Sequence, residues 1–151
     1  MLDSTDKSIL RLLHNNSKLT IKEIATKLNL TPTPIFERIK RLERENFITS
    51  YKAVINRKKI GLPLLVFCNI SLNQHETSFI AKFERDIQEL PEVIECYHLG
   101  GMFDYLLKVV AEDMDAYQYF VSKKLASIDN IRQVQSSFVM SEVKSNTDLP
   151  I

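Results

Sequence analysis

The stretch that decides the first part of the fold is residues 31–44, which read TPTPIFERIKRLER. It opens on Thr31, a residue type that caps helices. Pro32 and Pro34 follow in what would be the first helical turn, where a missing N–H removes no intrahelical hydrogen bond. The stretch therefore predicts a helix that begins at the prolines rather than one that they interrupt.

The predicted helix has two distinct faces. At about 100° per residue, Ile35, Ile39 and Leu42 fall within one narrow arc and form a buried stripe. The opposite side holds the small and charged residues Thr33, Glu37, Lys40, Arg41 and Arg44. We expect the apolar stripe to pack inward and the basic side to face outward.

Two further helices are predicted upstream. Asp3 and Ser4 are suited to cap the first, whose apolar positions are Ile9, Leu10 and Leu13 and which ends near the turn formers Asn15, Asn16 and Ser17. The residues of 20–23 match a capping box, in which Thr20 and Glu23 satisfy each other's amides and start the second helix. That helix buries Ile21, Ile24, Ala25 and Leu28 and stops at Asn29-Leu30.

Three helices with a short turn before a basic third helix are typical of a helix-turn-helix domain. The small residues of 31–34 would enter the major groove, and Lys40, Arg41 and Arg44 would contact phosphates. The expected DNA-binding residues are Thr31, Thr33, Glu37, Arg38, Lys40, Arg41 and Arg44. The alternative is a solvated charged face on a small helical bundle.

Two flanking residues have alternative roles. Arg38 lies beside the apolar stripe, so it either pairs inside the domain with Asp6 or Glu23, the preferred interpretation, or reaches a flanking phosphate. Phe36 either packs at the edge of the core or contacts a thymine methyl group. Downstream, Phe47-Ile48 and the alternating Tyr51, Ala53 and Ile55 predict a short strand or wing before the linker of residues 56–59.

The charge distribution supports a nucleic-acid contact in this first part. Although the net charge of the 151 residues is only +1, residues 1–60 carry 13 basic and 6 acidic side chains and residues 61–151 carry 7 and 13. A domain of +7 beside one of −6 indicates that the first contacts a polyanion. We therefore predict two domains, residues 1–60 and residues 61–151.

Other functional classes are disfavoured. The three glycines, Gly61, Gly100 and Gly101, are too few for a Walker A loop or a dinucleotide fingerprint. No apolar stretch approaches the roughly 20 residues of a membrane span, and residues 1–3 do not start a signal peptide, so we expect a soluble, cytoplasmic, nucleoid-associated protein. Cys68 and Cys96 are expected to be core thiols, and the scattered histidines predict no metal site. No nucleophile, base and orienting group cluster at a recognisable spacing, so we expect no enzyme and no cofactor.

The second domain alternates strands and helices. The hydrophobic periods predict strands over 64–72, 93–99, 104–111 and 131–143, with helices over 77–90 and 113–125. The order βαββαβ is that of a ferredoxin-like domain, so the expected fold class is α+β, with a winged-helix-like domain in front.

In this fold the helices cover one face of the sheet and leave the other free. The free face would carry the apolar residues Leu65, Phe67, Leu106 and Val110. Because an extended apolar surface usually marks an interface, we expect a homodimer with the sheets face to face. A symmetric dimer also suits DNA, since it presents two recognition helices to two half-sites.

The motifs together resemble the Lrp/AsnC (feast/famine) transcriptional regulators, nearly end to end. The matching positions are Leu2-Asp3, Asp6, Ile9-Leu10, Ile24-Ala25, Leu28, Leu30-Thr31, Ile35, residues 38–43, Ile48, Gly61, residues 90–93, residues 101–109, Val139 and Val143-Lys144. The resemblance implies a DNA-binding domain, a ferredoxin-like dimerisation domain, and dimers that assemble into octamers. It also implies an amino-acid effector held between dimers.

The resemblance places that effector near the loop before the third strand. The implied contacts are Gly100, Gly101, Met102, Phe103 and Asp104, with Val134, Gln135 and Ser136 on the fourth strand. Bare glycine amides would suit an α-carboxylate, and Asp104 an α-ammonium group. The alternative is that Asp104 caps a tight turn and Gly101 supplies a positive φ. Gly100 and Met102 replace residues that are commonly polar in the family, which makes this loop more apolar.

The leading hypothesis is a sequence-specific transcriptional regulator whose assembly or DNA affinity responds to a small amino acid. The alternative is an architectural protein that wraps DNA with little sequence specificity and no ligand.

Overall fold

The computed structural model describes residues 1–145 and 149–150. Its contacts divide the chain into two compact units, one of Met1–Val54 with Lys144–Ile151 and one of Ile55–Val143. The division falls a few residues before the predicted one at Gly61, and the domain limits of 1–60 and 61–151 stay predictions.

The first unit contains the three expected helices, α1 (Ser4–Asn15), α2 (Ile21–Leu28) and α3 (Pro32–Arg44). Capping boxes start the first two: Asp3 pairs with Asp6, and Thr20 pairs with Glu23. Asn29 closes α2 in the left-handed conformation at φ 54°, which asparagine tolerates better than most residues. Thr31 does occupy the N-cap of α3, but its side chain makes no capping hydrogen bond.

The core of this unit is a single apolar cluster between the three helices. It consists of Ile9, Leu13, Ile24, Ala25, Ile35, Ile39 and Leu42, of which four are fully buried. The stripe predicted for α3 is therefore confirmed. Leu10, Ile21 and Leu28 pack against the cluster but stay partly exposed.

The predicted wing is wrong: residues 47–55 form no strand in the described chain. A strand needs a partner that accepts and donates its backbone hydrogen bonds. Among the residues that the structure describes, the segment from Tyr51 to Ile55 has no such partner, and its apolar side chains Tyr51, Val54 and Ile55 are exposed.

The second unit has the predicted βαββαβ order. Its elements are β1 (Leu64–Leu72), α4 (Thr77–Gln88), β2 (Val93–His98), β3 (Tyr105–Ala111), α5 (Met114–Tyr119) and β4 (Ile131–Phe138). The strands form one antiparallel sheet in the order β2-β3-β1-β4. β1 and β3 are therefore central, and β2 and β4 are the edges.

One face of the sheet packs against the helices. Val66, Cys68 and Ile70 of β1 and Leu107 and Val109 of β3 are fully buried there. The helices contribute Phe83, Ile87, Tyr117 and Phe120 to the same cluster. Cys68 is thus the core thiol that was predicted. Cys96 is not, because it lies on the edge strand β2 and is exposed.

The other face of the sheet is mixed rather than uniformly apolar. Register places Leu65 opposite Val110, Phe67 opposite Lys108, and Asn69 opposite Leu106. Lys108 Nζ donates to Glu95 Oε1 of β2 at 2.9 Å on this face. An apolar centre is therefore bordered by an ion pair and an amide.

Two elements end more than two residues before the predicted position. After Tyr119, α5 widens into a π-helical turn (Phe120–Lys124) and then tightens into a 3₁₀ turn (Leu125–Ser127). β4 ends at Phe138 instead of Val143; its last pair with β1 joins Phe138 to Val66, and the next N–H, that of Val139, donates to the Leu65 carbonyl at 3.0 Å.

Candidate functional site

The outer surface of α3 presents the predicted DNA-binding residues. Thr31, Thr33, Glu37, Lys40 and Arg44 are exposed, on the side away from the buried stripe. Phe36 is also exposed, at 42%, and Lys40 Nζ lies 5.9 Å from the centre of its ring. Phe36 is therefore a surface side chain and not part of the core.

Arg38 and Arg41 take a different position from the other cations. Arg38 Nη1 donates to Asp3 Oδ2 at 2.6 Å and to Asp6 Oδ1 at 2.7 Å. Arg41 Nη2 donates to Asp6 Oδ2 at 2.5 Å. The preferred pairing of Arg38 with Asp6 is confirmed, and Glu23 is engaged with Thr20 instead. The pairing of Arg41 was not predicted from the sequence.

Asp6 is the centre of this cluster, and its side chain is only 1% exposed. Burial opposes its ionisation, but hydrogen bonds from the Asp3 N–H and from both guanidinium groups outweigh that cost and lower the pKa of Asp6. The pKa of Asp3 is lowered as well, by the Asp6 N–H and then by Arg38. Both carboxylates are therefore ionised at neutral pH, and they neutralise two cations of α3.

The remaining cations of α3 differ in their partners. Lys40 Nζ donates to Glu43 Oε2 at 2.9 Å, and the Tyr51 hydroxyl donates to the other oxygen of Glu43 at 2.9 Å. Among the residues that the structure describes, Arg44 makes no ion pair. Exposed ion pairs such as Lys40–Glu43 are worth at most about 1 kcal/mol, so Lys40 exchanges partners readily.

The loop before β3 holds the predicted effector residues. A Cβ at Gly100 or Gly101 would meet no atom within 4 Å, so both backbones are open to solvent. Neither glycine has a positive φ, so that alternative for Gly101 is wrong. Met102 projects outward and is 89% exposed.

Asp104 joins this loop to the end of β1. Its Oδ2 accepts from the Leu72 N–H at 2.7 Å, and its Oδ1 lies 2.8 Å from His75 Nε2. Burial opposes ionisation of Asp104, but the Leu72 N–H, His75 and the nearby charge of Arg132 together lower its pKa. Asp104 is thus an ionised turn-closing carboxylate, and His75 and Arg132 are neighbours that the sequence did not reveal.

The three positions predicted on β4 point in two directions. Val134 pairs with Ile70 and Ser136 with Cys68, so both lie on the helix-covered face. Gln135 pairs with Asn69 on the other face and is exposed. Within one chain, the loop and β4 therefore do not share a pocket through Val134 or Ser136.

Ser136 belongs instead to a polar chain inside the core. Its Oγ lies 2.5 Å from the Tyr117 hydroxyl, which in turn lies 3.0 Å from Cys68 Sγ. Burial raises the pKa of the Cys68 thiol despite hydrogen bonds from Tyr117 and Ser136. These three hydrogen-bonded residues lie on three different elements, so their contact could be predicted only from the strand register and not from the residue types.

The described part of the chain contains neither a metal-binding cluster nor a membrane-spanning helix. Within residues 1–145 and 149–150 there is no group of three or more His, Cys, Asp or Glu side chains placed to hold a metal ion. No helix in that part of the chain is long and apolar enough to cross a membrane.

Comparison with known families decides the affiliation of both units. A winged helix-turn-helix DNA-binding model matches residues 2–49, and the Lrp/AsnC ligand binding domain model matches residues 65–149. The chain belongs to the Lrp/AsnC family. The fold class and the DNA-binding nature expected from the sequence are thereby confirmed.

Relatives of Lrp/AsnC type cover nearly the whole chain. The DNA-binding transcriptional activator DecR of Escherichia coli K12 is 35% identical over 151 residues, which is 100% of this chain and 99% of that protein. The leucine-responsive regulatory protein of Salmonella typhimurium is 36% identical over 150 residues, 99% of this chain and 92% of that one. Both relatives are regulatory proteins by name, the first a DNA-binding transcriptional activator.

Solved structures of the family superpose closely. A Neisseria meningitidis transcriptional regulator in complex with L-Met has a TM-score of 0.95 and 35% identity, covering 99% of this chain and 97% of that one. An AsnC family regulator from Agrobacterium tumefaciens has a TM-score of 0.93 and 36% identity at the same coverage. The Lrp/AsnC fold therefore extends over both units.

Proposed function

We propose that the protein is a sequence-specific transcriptional regulator that reads DNA with the N-terminal part of α3. Thr31, Thr33 and Glu37 are exposed there and reach base edges in the major groove. Lys40 and Arg44, one turn or more further along, contact phosphates. The observation that carries this proposal is the exposed polar and basic side of α3 within a unit that matches a DNA-binding winged helix-turn-helix.

Salt dependence tests this role of α3. Replacing Lys40 or Arg44 by Gln should lower the slope of log K against log salt by about 0.9 per lost phosphate contact on each bound subunit. Lys123→Gln, an exposed lysine of the second unit, is the matched control and should leave the slope unaltered. Unchanged slopes in both α3 variants would show that another surface contacts DNA.

Footprinting distinguishes regulation from DNA wrapping. A short palindromic protected site, recovered by binding-site selection with the purified protein, supports the regulator. Continuous protection that tolerates any sequence would instead support the architectural alternative.

We further propose that the protein forms a homodimer through the free face of the sheet. These dimers then assemble into an octamer. Phe67 and Leu106, which are partly exposed, supply an apolar centre on that face, as central residues of interfaces do, while Leu65 and Val110 beside them are already buried within one chain. Leu106→Glu would place a carboxylate in that centre, and sedimentation velocity should show a shift to monomers. Tyr119→Glu, which adds the same charge at a residue 59% exposed on α5, is the control.

We propose that a small amino acid is the effector and that it binds the loop of residues 100–104 between dimers, with Gln135 nearby. The support is the ligand-binding family model and the similar Neisseria regulator solved with L-Met. In the described chain the N–H groups of Gly100 and Gly101 make no backbone hydrogen bond, so they are available to an α-carboxylate. Ionised Asp104 accepts from the α-ammonium group. Met102 adds an apolar contact.

Linkage supplies the mechanism of the response. An effector that binds at an inter-dimer cleft shifts assembly only by its differential affinity for the assembled states. Thermal shift with the twenty amino acids, starting with L-Met, followed by sedimentation with each hit, tests the proposal. If no amino acid changes melting or assembly, the sensing role is refuted.

Asp104→Asn is the sharpest variant for this site. The amide keeps an acceptor for the Leu72 N–H and a donor for His75 but removes the negative charge. Loss of a charged hydrogen bond of about 1.5–3 kcal/mol predicts an effector affinity weaker by about tenfold to a hundredfold. Asp113→Asn makes the same change at the N-cap of α5 and should not alter it, since Asn caps equally well.

The proposed partners set the place of action. We propose that the protein acts in the cytoplasm at the nucleoid, with DNA and an amino acid as its ligands and no catalytic activity.

A further inference from the structure

A carboxylate pair at the start of α1 holds two arginines of α3. Asp6 accepts from the Asp3 N–H at 3.1 Å, from Arg38 Nη1 at 2.7 Å and from Arg41 Nη2 at 2.5 Å. Asp3 accepts from Arg38 at 2.6 Å. The four side chains carry two positive and two negative charges, so the cluster is neutral.

The arginines are nevertheless within reach of solvent. The side chain of Arg38 is 30% exposed and that of Arg41 is 36% exposed, whereas Asp6 is almost fully buried. A guanidinium group binds carboxylate and phosphate with the same donors and the same planar geometry. Asp3 and Asp6 therefore compete with a DNA phosphate for these donors.

The conformation of Arg41 shows how strongly Asp6 draws it inward. Its Nε is buried and has no hydrogen-bond partner. A buried, unsatisfied N–H is unfavourable, and the Asp6 contact offsets this cost. Without the Asp6 charge, Arg41 would regain hydration, or a phosphate, by turning outward.

We propose that Asp6, assisted by Asp3, is a positioning residue that withholds Arg38 and Arg41 from the DNA backbone and so limits sequence-independent affinity. The proposal rests on α3 being the DNA-contacting helix. It assigns the helix two kinds of cation. Lys40, whose exposed pair with Glu43 exchanges readily, and Arg44 can meet phosphates, whereas Arg38 and Arg41 are held by the buried Asp6 and by Asp3.

The test is Asp6→Asn in the full-length protein, with a random-sequence duplex of about 60 base pairs as the probe. Each arginine released should steepen the slope of log K against log salt by about 0.9 per bound subunit. For one arginine, the ratio of variant to wild-type affinity should then rise about threefold to fourfold between 200 and 50 mM salt. A variant that is merely destabilised would lower the active fraction equally at every salt concentration.

A double-mutant cycle identifies the arginine. Arg41→Gln should reduce the slope in the Asp6→Asn background by about 0.9 more than it does in the wild-type background. Equal reductions in the two backgrounds, or an unchanged slope in Asp6→Asn, would overturn the proposal.

Asp3→Asn provides a second variant if Asp6→Asn fails to fold. Asparagine caps α1 as well as aspartate does, so the helix start is retained while Arg38 loses its exposed charge partner. The slope should steepen, by less than for Asp6→Asn, because Asp6 still holds Arg38. A slope equal to that of wild type contradicts the proposal.

Lys40→Gln and Arg44→Gln separate failure of this inference from failure of the proposed function. If those variants lower the slope while the Asp6 cycle shows no coupling, α3 contacts DNA but Asp6 does not restrain it. If they leave the slope unchanged, the DNA-contacting surface itself has been misplaced.

Discussion

The Tyr117 hydroxyl is predicted to stabilise the second unit through its position between two partners. It lies 2.5 Å from Ser136 Oγ and 3.0 Å from Cys68 Sγ, and the tyrosine is only 4% exposed. Tyr117→Phe keeps the ring contacts with Phe120 and Phe138, whose centres lie 6.1 and 5.3 Å away, and removes only the hydroxyl.

The magnitude follows from the two bonds. A hydrogen bond between neutral groups contributes about 0.5–1.5 kcal/mol, and a thiol is the weaker partner. We expect Tyr117→Phe to lower the free energy of unfolding by about 1–2 kcal/mol. For a unit of this size that corresponds to a melting temperature lower by about 4–16 °C.

Urea titration at fixed protein concentration measures this change, because oligomer formation would otherwise enter the midpoint. A cycle of Tyr117→Phe with Ser136→Ala should give a coupling of about 1 kcal/mol. Tyr119→Phe makes the same chemical change on the same helix at a residue 59% exposed and should stay within about 0.5 kcal/mol of wild type. A Tyr117→Phe protein as stable as the Tyr119→Phe control would refute the reasoning.

Three further predictions concern local structure. The pKa of Asp6 in the folded chain lies below its ordinary value of 3.8. The ionised Asp6 therefore stabilises the fold above about pH 4, and this contribution is lost as the pH falls through the folded pKa. Urea midpoints across this range should fall less steeply with decreasing pH in Asp6→Asn than in the wild type. Asn29→Gly should leave the stability unchanged or raise it, because φ is 54° there. Asn130→Gly, at φ 75°, should lower the free energy of unfolding by about 1–2 kcal/mol, because the Asn130 side-chain amide also bonds the Gln74 N–H and carbonyl. Thermal melts measure both changes. Thr20→Ala should cost about 1 kcal/mol in the same assay through loss of its cap, and Thr31→Ala much less, since Thr31 makes no such bond.

Features set by local periodicity were predictable from the sequence. The buried stripe of Ile35, Ile39 and Leu42 follows from helical spacing alone, and the Thr20–Glu23 capping box needs only four residues. The alternating pattern of β1 correctly predicted which of its side chains share a face, because side chains alternate along a strand whatever the strand pairs with.

Features that depend on partners were not predictable in the same way. Tyr51, Ala53 and Ile55 alternate like a strand, yet no strand forms without a neighbour. Cys96 has the sequence surroundings of a core thiol, but its exposure follows from β2 being an edge. In both cases the presence or absence of a neighbouring strand, and not the residue types, determines the outcome.

The contacts of two candidate site residues could not be predicted from the sequence. Arg41 falls at the rim of the basic side of α3, but its contact with Asp6 spans 35 residues and cannot be read from a helical wheel. Ser136 was expected at the effector because of where it falls on β4. Its register opposite Cys68 turns it toward the core instead.

The widened turn at Phe120–Lys124 has a consequence for how the chain tolerates changes in length. A π-helical turn accommodates one residue more than the α-helical turn it replaces. It therefore absorbs the extra residue locally, and Phe120 and Leu125, on either side, both remain in the core. Deleting a single exposed residue here, such as Ser122, would convert the turn into ordinary α-helix and leave both anchors in place. The second helix of this unit thus contains a built-in site for a one-residue length difference.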